Sequence, residues 1–162
     1  MSAIVRLDNM SGTTNPTKLV SARYFDGSAY AAIQNGSVLK LDSLISGEKE
    51  VWKAVAPAAN DTFGKLILVA SPEVIYDATK TNLSDFTNAA GANVRGYVIE
   101  SGDIFSVTSE AVTGTPDVTT NKYITVVADT KLATATVATD ARFDVVAVET
   151  VGTKTFYVLR AI

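Results

Sequence analysis

Apolar residues in this chain fall in short runs separated by glycine, proline, asparagine and aspartate, and that punctuation limits the fold more than any other feature. Runs of this length suit strands, because a few extended residues cross a small core whereas a helix needs ten or more. At 162 residues there is material for one core of ordinary size. The expected architecture is mainly β: a small antiparallel β-barrel or sandwich, with one short helix at about residues 83–90 and an extended N-terminal arm. Residues 1–25 are assigned to the arm and 26–162 to a single β-rich domain.

The local signals are these. Pro16 has no N–H to donate and holds Asn15 extended, so residues 11–17 suit neither a helix nor a central strand. Asn35-Gly36 tolerates positive φ and predicts a two-residue hairpin turn between strands at 29–34 and 38–41. Strands at 50–55 and 65–70 are expected to form the next pair, joined through the turn-rich residues 57–64. Leu66, Ile67, Leu68 and Val69 are continuously apolar, which predicts a strand covered on both faces. In the one helical candidate Asn82 or Ser84 caps the start, Leu83 and Phe86 form the apolar side, and Gly91 closes it. Ser101-Gly102-Asp103 predicts a second hairpin, between 94–100 and 104–108. The last third holds the clearest strands, at 122–128, 133–138, 142–151 and 155–162, with residues 151–154 reversing the final pair. Along the third of these, Phe143, Val145, Ala147 and Glu149 face opposite to Asp144, Val146, Val148 and Thr150. Trp52, the sole tryptophan, is expected to pack beneath a sheet.

Chemistry is constrained by what the chain lacks. Without cysteine there is no disulfide, thiolate nucleophile or sulfur ligand, and without histidine the commonest general base and metal ligand are gone. The net charge of −3, with no cluster of Lys or Arg, is a poor footprint for a phosphate backbone, so nucleic acid is not an expected partner. No apolar run approaches the roughly 20 residues that span a bilayer, and the start lacks the basic-then-apolar order of a signal peptide. A soluble chain with no membrane partner is expected. The aspartates are dispersed and not at calcium-loop spacing, and Gly64-Lys65 lacks the companion glycines of a phosphate loop, so neither a metal nor a cofactor site is predicted. Two carboxylates alone can hydrolyse a glycoside, and Glu100 with Asp103 is the most suggestive pair. They bracket a turn, however, where an aspartate ordinarily bonds its own backbone. The expectation is therefore a protein that binds or builds and is not an enzyme.

Three phrases carry a resemblance: residues 51–57 (VWKAVAP), 68–77 (LVASPEVIYD) and 95–107 (RGYVIESGDIFSV). Together with the missing Cys and His and the abundant Thr, Ser and Ala, they resemble small auxiliary head proteins of tailed bacteriophages, the decoration or cement proteins. That resemblance implies a structural virion protein that binds the outside of an assembled head shell and stabilises it. The implied partners are the major capsid protein and, in a homo-oligomer with a trimer among the allowed forms, the protein itself. The implied location is the exterior of the phage head, after synthesis in the host bacterial cytoplasm. Ile4, Val5, Arg6 and Leu7 are the expected partner-binding residues, because a short apolar run in a polar arm is poorly explained by solvation. A tail or fibre component and a β-rich surface or adhesion module are the alternatives, with a carboxylate-dependent glycoside hydrolase more remote.

Overall fold

The computed structural model describes residues 1–59 and 61–162; Asn60, inside the turn-rich link expected before the fifth strand, lies outside them. Its strands are β1 (Val5–Asn9), β2 (Leu19–Tyr24), β3 (Val38–Leu44), β4 (Val51–Val55), β5 (Leu66–Val69) and β6 (Val94–Val98). They continue as β7 (Ile104–Thr108), β8 (Val112–Thr113), β9 (Tyr123–Val126), β10 (Leu132–Thr134), β11 (Phe143–Val151) and β12 (Lys154–Ala161). The fold is mainly β, as the punctuation predicts. Five strands close a barrel in the order β2-β4-β3-β5-β6, and the other seven form a sheet in the order β1-β7-β12-β11-β9-β10-β8.

The apolar stretch Leu66–Val69 explains why the two sheets stay together. Ile67 and Val69 point into the barrel with Ala22, Leu39, Leu41, Ala54, Val94 and Val98. Leu66 and Leu68 point the other way and, with Val38, Tyr97 and Ile99, meet Phe105, Val107, Ile124, Phe143 and Leu159 of the seven-stranded sheet. All four β5 residues are buried, as a strand covered on both faces requires. The wall β3-β5-β6 thus serves two cores at once.

The first 25 residues are extended but not free. β1 pairs antiparallel with β7, and β2 lies between β4, which runs parallel to it, and antiparallel β6. Between them Gly12 is buried, and a Cβ there would stand 2.9 Å from both the Lys18 carbonyl oxygen and Tyr97 Cδ1. The segment expected to reach outward is woven into both sheets.

Two predicted hairpins turn where expected but lead elsewhere. Gly36 adopts φ +82°, yet residues 29–34 form no strand; Tyr30 and Ile33 make only isolated bridges, to Phe25 and Asn88. β3 pairs instead with β4 and β5, which also separates the 50–55 and 65–70 strands that were expected to pair. The backbone at the turn is committed to β5, with Gly36 N donating to the Val69 carbonyl at 2.8 Å and the Ser37 carbonyl accepting from Val69 N at 2.9 Å. The buried Asn35 amide anchors the turn. Its Nδ2 donates to the Ser71 carbonyl at 2.8 Å, and its Oδ1 accepts from Ser71 N at 3.0 Å and Asn88 Nδ2 at 3.1 Å. Similarly, Gly102 turns with φ +95°, but β6 belongs to the barrel and β7 to the sheet, so the turn is a crossover.

The helix expected at 83–90 is reduced to one 3-10 turn, Leu83–Asp85, carrying a capping box between Asn82 and Asp85. It cannot propagate, because the Asn88 N–H and carbonyl are both spent on Ile33, at 2.9 and 3.0 Å. The last hairpin, by contrast, matches: β11 and β12 pair from Phe143↔Ala161 to Val151↔Lys154. A bulge between Val145 and Ala147 breaks the strict alternation predicted for β11. Trp52 is only half-buried and packs at the edge of the barrel core, not beneath a sheet.

Candidate functional surface

Of the four expected partner residues, three are occupied within the chain. Val5 and Leu7 pack against the main core. The Arg6 guanidinium lies 4.6 Å from the centre of the Phe156 ring, forms an ion pair with Glu149 at 2.6 Å and donates to Ser106 Oγ at 3.2 Å. An apolar run at the start of a chain is equally the signature of an edge strand on a core, and β1 takes that role. Ile4 differs. Its backbone is fixed by Thr108, whose Oγ1 accepts from Ile4 N and whose N–H donates to the Ile4 carbonyl, both at 3.1 Å. Its side chain lines a groove of about 400 Å³ with Met1, Leu83 and Lys154.

The groove forms a pole of mixed character, with Met1, Ile4 and Leu83 set among Thr81, Asn82, Ser84, Thr153 and Lys154. Met1 is 88% and Leu83 51% exposed, and Val151, paired with Lys154 at the β11–β12 turn, is 54% exposed. Residues distant in sequence are held together by short bonds. Ser2 N donates to the Ser84 carbonyl at 2.7 Å, Ser2 Oγ meets Thr87 Oγ1 at 2.8 Å, and Ala3 N donates to Gln34 Oε1 at 3.2 Å. The groove is therefore preformed by the fold, which spares a partner part of the ordering cost of binding. Met1, Leu83 and Val151 were missed because no local pattern unites them.

Lys154, which lines the groove, is paired with Glu110. Burial pushes the Glu110 carboxyl up, but the Lys154 ammonium and its hydrogen bond outweigh burial and hold the group below its ordinary range. A carboxyl lowered in the folded state stabilises fully above its unfolded value, about 4.3, and loses that contribution as pH falls through the folded value. Glu110→Gln is expected to cost about 1 kcal/mol at pH 7 in urea unfolding. At pH 3 the difference from the parent protein should shrink toward zero; an unchanged difference would remove the ion pair from the account.

The suspected catalytic carboxylates have structural work. Asp103 is buried and its carboxylate accepts from Ser11 N at 2.9 Å, Ser11 Oγ at 2.5 Å and Glu100 N at 2.8 Å. Glu100 forms an ion pair with Lys18. Together they tie the links between β1 and β2 to the β6–β7 crossover, so Asp103 does bond its own turn. Among the described residues no group of three or more Asp or Glu converges as a metal site, and no helix is long and apolar enough to cross a membrane.

Compared with known protein families, curated proteins and solved structures, the chain matches none. Its surface must speak through its own chemistry. Met1 and Leu83 are the large exposed apolar side chains at the groove, and polar residues separate them.

Proposed function

We propose that this is a structural protein that docks on the outside of a tailed-phage head shell and reinforces it. The observation that supports the reading is the pole, where Met1, Ile4 and Leu83 offer apolar side chains among Thr81, Asn82, Ser84, Thr153 and Lys154 in a groove held by backbone and side-chain bonds. The phrase resemblance supplies the class of partner, a major capsid protein. A lattice offers many equivalent sites, so modest contacts repeated on each copy are enough for decoration.

Leu83 is the best single probe, because its side chain is exposed and its replacement disturbs no core. Burying one leucine contributes about 1.5–3 kcal/mol, so Leu83→Asp is expected to weaken shell binding by roughly tenfold or more. The measurement is stoichiometric cosedimentation with purified undecorated shells, with circular dichroism to show that the variant is folded. Full retention of binding by Leu83→Asp would move the interface off this pole, and failure of the parent protein to bind shells would end the decoration reading. Deleting residues 1–20 is a poorer test, because it removes β1 and the start of β2 and so tests folding. Cosedimentation with isolated tails in place of heads would favour the tail or fibre alternative.

A further inference from the structure

The five-stranded barrel is closed at one end and open at the other. Where β2 and β4 end and β3 begins, Ile33 packs into the barrel core and its backbone is bridged to Asn88. The opposite end is set by register. Leu19 of β2 pairs with Tyr97 late in β6, Trp52 early in β4 pairs with Leu44 late in β3, and Lys40 pairs with Leu66 at the start of β5. At that end Val20, Leu41 and Val98 form an apolar floor, Trp52 forms one wall, and Lys65 stands at the rim. The recess holds about 350 Å³, within the range of small-molecule sites, roughly 300–1,000 Å³.

The rim charges narrow what fits. Thr17 is neutral, Lys18 is paired with Glu100, and Asp42 lies 3.5 Å from Lys53. Lys65 is exposed and has no carboxylate within ion-pair distance among the described residues. A dry floor, a half-buried indole and one uncompensated ammonium at the lip are complementary to a molecule with an apolar body and a single anionic group.

We infer that the open mouth of the barrel is a binding site for a small amphiphilic acid, its apolar body on Val20, Leu41 and Val98 beside Trp52, and its anion at Lys65. This site shares no lining residue with the pole and does not depend on the docking reading. Because Trp52 is the sole tryptophan, its fluorescence reports on the mouth directly. Titrating the full chain with octanoate below its micelle concentration should give a saturable Trp52 response with one site per chain, and calorimetry should give the same stoichiometry. Octanol, which matches the body without the charge, should bind at least about fivefold more weakly. Lys65→Glu should weaken octanoate by about fivefold or more and leave octanol unchanged, whereas Lys80→Glu, on the distant 70–93 link, should change neither. No saturable response to octanoate in the millimolar range overturns the site. Equal binding of octanol and octanoate, or octanoate binding unaffected by Lys65→Glu, overturns the assignment of the anion to Lys65.

Discussion

Truncating Phe143 to alanine should remove about 3–5 kcal/mol of folding stability, enough to leave much of the protein unfolded at moderate temperature. Phe143 is fully buried at the start of β11, where it pairs with Ala161 on one side and Ile124 on the other. Its ring sits edge-on to Phe105 at 5.6 Å between centroids and tilted against Phe63 at 5.5 Å. The neighbours come from β7, β9, β12 and the link before β5, so no single element can move in to fill the space. A cavity whose walls cannot collapse keeps its full penalty. Urea unfolding of Phe143→Ala and Phe143→Leu separates the terms, because leucine retains most of the apolar body and should lose markedly less. A loss below about 1 kcal/mol for the alanine variant would mean that the two sheets do not depend on this cluster for their union.

The same cluster shows what local sequence can and cannot convey. Phe143 and Val145 announce a buried strand face by alternation, and residues 151–154 announce the reversal, because hairpin partners are neighbours in the chain. Asn35-Gly36 and Ser101-Gly102-Asp103 announce turns just as clearly, and the turns are present. What they do not convey is destination. Whether the strand after a turn rejoins its predecessor depends on competing partners far away in sequence, such as Ser71 and Asn88 for Asn35. The continuous run Leu66–Val69 conveyed burial on both faces without naming the two cores that supply it.

The proposed docking surface was less legible for the same reason. Ile4 was visible as part of an apolar run, but Val5 and Leu7 in that run serve the core, and only the fold separates their roles. Met1, Leu83 and Val151 lie far apart in sequence, and the bond from Ser2 N to the Ser84 carbonyl that brings the first two together involves backbone groups with no sequence signature. Trp52 was noticed for its rarity. Its place at a barrel mouth follows from the parallel pairing of β2 with β4, which no local pattern announces.

One glycine did carry a readable message. Glycine inside a strand is unfavourable on its own and marks a close approach by another group. Gly96 stands between Val94 and Val98, both directed into the barrel, and a Cβ at this position would also point inward. It would lie 2.6 Å from Ile67 Cδ1 and 3.3 Å from both Ile67 Cβ and Val20 Cγ2. In a lumen of only five strands, Ile67 can cross the interior because residue 96 leaves it room. Ile67 is fully buried and valine would add two further methyl groups beyond the crowding Cβ, so Gly96→Val is expected to cost about 3 kcal/mol, the upper range for overpacking. Gly96→Ala should cost less, about 1–3 kcal/mol. The cause can be isolated with a second substitution, because Ile67→Val removes only the Cδ1 atom that makes the shortest contact. Combined with Gly96→Ala it should recover most of the loss, giving a favourable coupling of about 1 kcal/mol or more in a double-mutant cycle measured by urea unfolding. Additive losses would mean that strand conformation, and not the crowded lumen, requires glycine at this position.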